Sequence, residues 1–506
     1  MMRGPSLLPV ALAALSCVDA LSLHRRDTPA TVELPIERRQ HAGGLQKRDS
    51  TLNLPLINYY DSFYILNLTL GSPAQQFAVA LDTGSSDLWV NVANSSYCSS
   101  RTNPCKPFGL YDPDASSTYK NLDVEFNATY GDGTNAYGYY ATDKLGLGDV
   151  DVDDMQFGVA ESTTITRGCS VGICKCPSLI VFSLSSEGIV GVAYDTLTNE
   201  ASHEGKTYAN LPQALVNSGA IKSPAYSLWL NDPQASRGSI LFGGVNKAKY
   251  KGELQTIPIV RTLRGYSYLA VTLTGVSVEH GNESDDYSSR LPIVVLLDSG
   301  TTLTYLPDSL VDELYKKFNA TFLEDDGLAY VDCELMEKDY TVNFDFSGAT
   351  IAVGISELVL KAVAEDFPTG TCAFGVVPSG DSQDAMYILG DTFLRSAYVV
   401  YDLGNNEISL ANTNFSPGDD DILEIGTGTS AVPGATPVES PVTSATVASA
   451  TDIVHTVMVG GTEATATGSN SGAAETSSSS GIAALPTSNT KHLLSGLAGA
   501  GLLLAL

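Results

Sequence analysis

Basic side chains are scarce in this chain. Its 506 residues carry 28 Lys plus Arg against 57 Asp plus Glu, a formal net charge of −29. Such a surface repels nucleic acid and anionic headgroups, so no nucleic-acid partner is expected. It attracts cationic peptides, and it serves solubility equally well. Histidine is sparse too. His24 and His41 stand near the start, His455 and His492 near the end, and His203 and His280 in polar stretches. A Ser-His-Asp site therefore lacks a placed base. The Gly-rich-plus-Lys phosphate loop is missing. The apolar C-terminal run, Leu493 to Leu506, is too short for an ordinary spanning helix.

What the chain does have is a repeated carboxylate loop. Phe77-Ala78-Val79-Ala80-Leu81 leads into Asp82-Thr83-Gly84-Ser85-Ser86, and apolar residues resume through Leu88-Trp89-Val90. Ile293-Val294-Val295-Leu296-Leu297 leads into Asp298-Ser299-Gly300-Thr301-Thr302 in the same way. Each copy reads as a β-strand running into a tight loop that presents an Asp. One such tripeptide is an ordinary strand-to-turn junction. Two copies with the same lead, hydroxyl and glycine point to a duplicated lobe. A second shared element, Ile189-Val190-Gly191 and Ile388-Leu389-Gly390, makes the repeat two-part.

Around these loops the chain divides by composition. Residues 1–20 read as a secretory signal, with Arg3, an apolar Leu7–Leu15 run and small Val18 and Ala20 before the cut. Residues 21–48 are short, polar and basic, with Arg25-Arg26, Arg38-Arg39 and Lys47-Arg48. They read as a pro-segment released by a dibasic-specific processing protease, or as a disordered leader. Residues 49–255 and 256–416 are expected to form the two lobes. Residues 417–480 are read as a Ser/Thr-rich stalk, since Thr, Ser, Ala, Gly, Pro and Val dominate from 427 and no Lys or Arg occurs there. Residues 481–506 suit a glycolipid-anchor signal, with small Ser479-Ser480-Gly481, a spacer and an apolar tail; Asn470-Ser471-Gly472 is a rival cleavage set. The expected destination is the outer face of the plasma membrane, or the cell wall.

Within the lobes, Phe126–Tyr140 reads as a hairpin turning at Gly131-Asp132-Gly133, either a cover for a cleft or a plain surface hairpin. Leu310, Leu314 and Phe318 have helical spacing. Eight cysteines include Cys17 in the signal, leaving an odd seven. Cys98 and Cys105 suit a small disulfide loop, and Cys333 and Cys372 a long-range pair. Cys169, Cys174 and Cys176 have no fourth ligand nearby in sequence, so a local disulfide plus one thiol is expected rather than a metal. Sequons occur at Asn67, Asn94, Asn127, Asn282, Asn319 and Asn414.

Two carboxylates held a few ångströms apart cannot both ionise easily, so they share a proton over an acidic range. One then takes a proton from water while the other donates to a carbonyl oxygen. Ser85 and Thr301, three residues after each Asp, are placed to donate to the outer carboxylate oxygens. Thr83 and Ser299 can lock the loops together, and Gly84 and Gly300 keep Cβ atoms out of the dyad. Glycosidases also use two carboxylates, but without need of matched loops.

At these residues the chain resembles the pepsin-like aspartic proteases, and especially the fungal glycolipid-anchored yapsin branch. The matching stretches are Leu81–Ser86, Leu297–Thr302, Trp89, Tyr130-Gly131-Asp132-Gly133, Ile189–Gly191 and Ile388–Asp391. The resemblance covers roughly residues 60–415. It implies a mostly β, bilobal fold with the cleft between two similar lobes. It implies Asp82 and Asp298 as catalytic pair, Tyr130, Gly131 and Asp132 on a flap, and Trp89 holding Tyr130. It implies the disulfides Cys98–Cys105 and Cys333–Cys372 and peptide or protein substrates; no cofactor, no metal and a monomer are the further expectations. Cleavage after Lys or Arg is known in that branch; a broad, apolar-leaning preference is the alternative. A catalytically idle surface protein on the same fold is the other reading.

Overall fold

The computed structural model describes residues 31–43, 56–100, 103–131, 133–164, 188–231, 237–261, 265–324, 327–360, 370–380, 386–442, 444–445 and 457–458. The signal, Lys47-Arg48, Asp132, the 169–176 cysteine cluster and the anchor signal lie outside them. Among the described residues no helix is long and apolar enough to cross a membrane.

The apolar lead into the first Asp forms strand Gln75–Asp82, buried from Phe77 onward. A strand covered on both faces reads as a continuous apolar run rather than an alternating one. It pairs antiparallel with Leu56–Leu70 and parallel with Ile189–Gly191, where Asp82 stands opposite Gly191. Ile189–Gly191 in turn pairs antiparallel with Leu88–Asn91, the strand that leaves the Asp82 loop. The second half repeats this plan. Ile293–Leu297 lies parallel to Ile388–Leu389, which is antiparallel to Thr304–Leu306. The fold is therefore mostly β and bilobal, with one Asp loop per lobe.

The lobes are joined by strands rather than by a linker. Ala225–Trp229 pairs with Ala397–Asp402, and Glu407–Thr413 pairs with both Ala397–Asp402 and Tyr250–Pro258. These belong to one 14-stranded sheet that continues into the first lobe. Tyr250–Pro258 runs across the boundary expected at 255 and 256. One apolar core passes through both lobes and includes Leu81, Val190, Tyr226, Leu297 and Tyr401. Helix Asp308–Phe318 buries Leu310, Val311, Leu314, Tyr315 and Phe318, and ends at Asn319 in the left-handed region.

Two stretches outside the expected lobe bounds pair with the body's sheets. Val32–Gly43, in the stretch read as a pro-segment, forms a strand of the sheet, between Arg237–Phe242 and Leu56–Leu70. Basic composition concealed it, since backbone pairing asks little of side-chain charge. The chain past 416 also pairs with the body. Ile422–Glu424 pairs with Gly244–Asn246, and Ala435–Pro437 adds a parallel strand beside Tyr250–Pro258. Ile425 and Val432 are buried there. The chain remains on the body as far as Val442, whose N–H donates to Ser347 Oγ. Polar, Gly-rich composition hid a segment held by a few apolar anchors and backbone bonds.

Cys98–Cys105 and Cys333–Cys372 are bonded as expected. Of the sequon asparagines, Asn67, Asn94, Asn282 and Asn319 are exposed. Asn127 and Asn414 are half-buried, with their amides engaged by Asn135 and the Ala248 carbonyl.

Candidate active site

The two Asp loops meet between the lobes, each fixed by its own backbone. Gly84 N–H donates to Asp82 Oδ1 at 2.8 Å, and Gly300 N–H to Asp298 Oδ1 at 2.9 Å. Ser85 Oγ donates to Asp82 Oδ2, and Thr301 Oγ1 to Asp298 Oδ2 at 2.6 Å. The two sets of contacts match atom for atom, as a duplicated loop requires.

Between the loops runs a reciprocal lock. Thr83 Oγ1 donates to the Leu297 carbonyl at 2.8 Å and accepts from Ser299 N–H at 2.9 Å. Ser299 Oγ donates to the Leu81 carbonyl at 3.1 Å and accepts from Thr83 N–H at 3.2 Å. Thr83 and Ser299 are fully buried. Each hydroxyl thus satisfies a donor and an acceptor of the opposite lobe, which a buried polar group needs. Beneath the first loop, Val192 N–H donates to the Asp82 carbonyl and Gly191 N–H to the Asp87 carbonyl. Beneath the second, Asp298 N–H donates to Leu389.

Asp82 and Asp298 are close enough across the join for the Asp298 charge to act on the Asp82 carboxyl. Burial first, and the Asp298 charge second, push the Asp82 carboxyl up to about 8, against the Ser85 and Gly84 donors. A carboxyl so placed holds a proton well above the ordinary carboxylate range.

The hairpin expected around Gly131-Asp132-Gly133 consists of Lys120–Thr129 and Asn135–Leu147. Its turn closes through Tyr130 N–H to the Thr134 carbonyl and Gly133 N–H to the Tyr130 carbonyl, with Gly133 at positive φ. Trp89 Nε1, in a fully buried ring, donates to Tyr130 Oη at 2.7 Å. The structure therefore brings together Asp82, Asp298 and their hydroxyl and glycine neighbours, and it joins Trp89 to Tyr130.

These arrangements decide the comparison with known proteins. The eukaryotic aspartyl protease family model matches residues 63–413. The chain belongs to this family of aspartyl proteases. The aspartyl protease is 46% identical to the probable aspartic-type endopeptidase opsB of Aspergillus oryzae, over the whole of both chains. It is 36% identical to aspartic proteinase yapsin-3 of Saccharomyces cerevisiae, covering 77% of this chain and 74% of that one. The crystal structure of the aspartic proteinase from Irpex lacteus has the same fold, with a TM-score of 0.57 and 21% identity, over 76% of this chain and 98% of that chain. Fold and relatives together make the protein an aspartic-type endopeptidase of the fungal opsB and yapsin group.

Sequence reasoning passed over a buried acid beside the site of this protease. Asp87 Oδ1 accepts from Tyr140 Oη at 2.7 Å and Tyr208 Oη at 2.5 Å, and Oδ2 accepts from Asn199 N–H at 2.7 Å. Burial raises its carboxyl, while Tyr208, Tyr140 and Asn199 oppose the shift. The available signal was an acid set directly before the apolar Leu88-Trp89-Val90. Another missed feature is the buried Arg395–Glu357 pair, with Nε 2.6 Å from Oε2.

Proposed function

We propose that this chain hydrolyses internal peptide bonds at acidic pH by activating water between Asp82 and Asp298. The observation that carries the reading is the meeting of the two Asp loops, locked across the lobes by Thr83 and Ser299, with each buried carboxyl held by its own glycine N–H and hydroxyl. One ionised carboxylate takes a proton from the attacking water. The protonated partner donates to the scissile carbonyl oxygen. Water oxygen bonds to the carbonyl carbon, giving a tetrahedral diol. Its collapse breaks the C–N bond as the dyad returns a proton to the leaving amine. No bond forms between enzyme and substrate.

Ser85, Thr301, Gly84 and Gly300 hold the carboxylates in place for this exchange, so little reorganisation is needed at the moment of reaction. Thr83 and Ser299 hold the loops in register. Tyr130, Gly131 and Asp132 would cover the extended substrate, with Trp89 setting Tyr130. In the same reading the protein enters the secretory pathway, loses residues 1–20, is cut after Lys47-Arg48, and is held at the cell surface through its C-terminal glycolipid signal. Its net negative charge and Asp132 in the flap support a preference for Lys or Arg before the scissile bond.

The test is hydrolysis of a peptide library varied only before the scissile bond, with and without a statyl inhibitor. Inhibitor-sensitive cleavage supports the activity, and faster turnover of Lys and Arg peptides supports the preference. Equal turnover of Lys and Leu peptides removes the preference alone. Absence of any cleavage at acidic pH removes the whole reading.

A further inference from the structure

Under the dyad lies an element that the mechanism above does not use. Tyr226 on Ala225–Trp229 and Tyr401 on Ala397–Asp402 stand directly opposite each other in the sheet joining the lobes. Their rings stack with centroids 5.0 Å apart and an interplanar angle of 28°. Both side chains are fully buried. One comes from each lobe, so the pair spans the join.

The hydroxyls are more informative than the rings. Tyr226 Oη donates to the Val192 carbonyl at 3.1 Å. The N–H of the same residue holds the Asp82 carbonyl at 3.0 Å. Tyr401 Oη points at the Leu297 carbonyl, 3.5 Å away, which also accepts from Thr83 Oγ1. Leu297 is the residue immediately before Asp298. Each phenol therefore ends on the backbone that carries one dyad acid. A phenylalanine would fill the same space with no buried hydroxyl to satisfy. A buried hydroxyl with one bond adds little net stability, since the bond mostly offsets its desolvation. What it adds is a fixed distance.

We infer that Tyr226 and Tyr401 are a positioning pair that sets the relative height of the two Asp loops across the lobe join. The Thr83–Ser299 lock ties the loops to each other. The tyrosines tie each loop to the sheet below, and their stacked rings tie those anchors together. Sliding of one lobe against the other would have to break this second connection before the acids could separate. The titratable groups facing the pair are Asp82 and Tyr194 on the Tyr226 side, and Asp298 and Asp391 on the Tyr401 side.

The inference rests on the proposed hydrolysis, and its test separates the two. The full chain and its Y226F, Y401F and double variants are compared for kcat, KM, the pH profile of kcat/KM, and urea unfolding. Each Phe variant keeps its ring, so folding is retained. The expected result is a fall in kcat of about threefold to tenfold in each single variant, with KM unchanged. The acid and alkaline limbs of the profile move toward each other as the two carboxyls couple less tightly. Because the pair acts as a unit, the double variant loses no more than the worse single one. Superimposable kcat and pH profiles in both single variants overturn the inference, and so do losses that multiply in the double variant. If one single variant fails to fold, the other still decides by the same kcat and pH readouts. An unmodified chain that cleaves no peptide counts against the hydrolytic reading instead.

Discussion

A Cβ built on Gly84 would lie 2.7 Å from Asp298 Oδ1, across the lobe interface, and one built on Gly300 would strike Asp82 Oδ1. The glycines in the repeated loops thus leave room for the acid of the opposite lobe. Gly84→Ala must displace the Asp298 carboxylate. Misplacement of about an ångström costs roughly 10²-fold in rate. A kcat loss of that order is expected, with the unfolding transition still cooperative. Steady-state kinetics beside urea unfolding checks it.

The Thr83 hydroxyl serves two groups of the other lobe at once, the Leu297 carbonyl and the Ser299 N–H. Thr83→Val keeps the shape and leaves that N–H without its acceptor. A loss of about 1–3 kcal/mol is expected. Equilibrium denaturation in urea measures it, and Ser299→Ala should produce a loss of similar size.

Acid should stabilise the fold at this site. The Asp82 carboxyl is raised from 3.8 to about 8, so between those values the folded chain holds a proton that the unfolded chain has released. Stability from this group is full below pH 3.8 and is lost as pH rises through about 8. Burial raises Asp87, Asp195 and Asp402 with the same sign. Asp143 opposes them: burial pushes it up, but the donors Thr118, Tyr111 and Ser116 prevail and lower it. The expected outcome in a calorimetric pH series is a Tm that falls by several degrees from pH 4 to pH 8. Asp82→Asn should flatten part of that slope.

Residues 417–442 should behave as part of the body. Removing them exposes the core around Ile425 and Val432 and takes a strand from the edge of the sheet. Burial of such side chains contributes about 1.5–3 kcal/mol each. A chain ending at Ser416 should therefore unfold several degrees lower than one ending at Val442. The latter should match the full-length protein. Differential scanning calorimetry on the three lengths compares them.

How much of this was legible follows from how local each signal is. The Asp82 and Asp298 loops were readable because strand, acid, hydroxyl and glycine are consecutive and occur twice. The hairpin of Lys120–Thr129 and Asn135–Leu147 was readable from its Gly-Asp-Gly turn. The Tyr226–Tyr401 contact was not, because it depends on strand register between residues 175 apart in the chain. The strand pairing of Val32–Gly43 and of the segment after Ser416 was not legible for a related reason. Their compositions are basic and polar, and their places come from backbone pairing to remote strands. Asp87 announced itself only as an acid out of place, since its three donors come from distant segments.

The most direct test of the paired-acid account is hydrolysis of an extended peptide by the purified chain and its Asp82→Asn variant at acidic pH. Fragments are identified by mass spectrometry. The unaltered chain should cut an internal bond, and the variant, folded to the same unfolding midpoint or better, should be slower by about 10²–10⁴-fold. Cleavage by the variant at the rate of the unaltered chain would contradict the account.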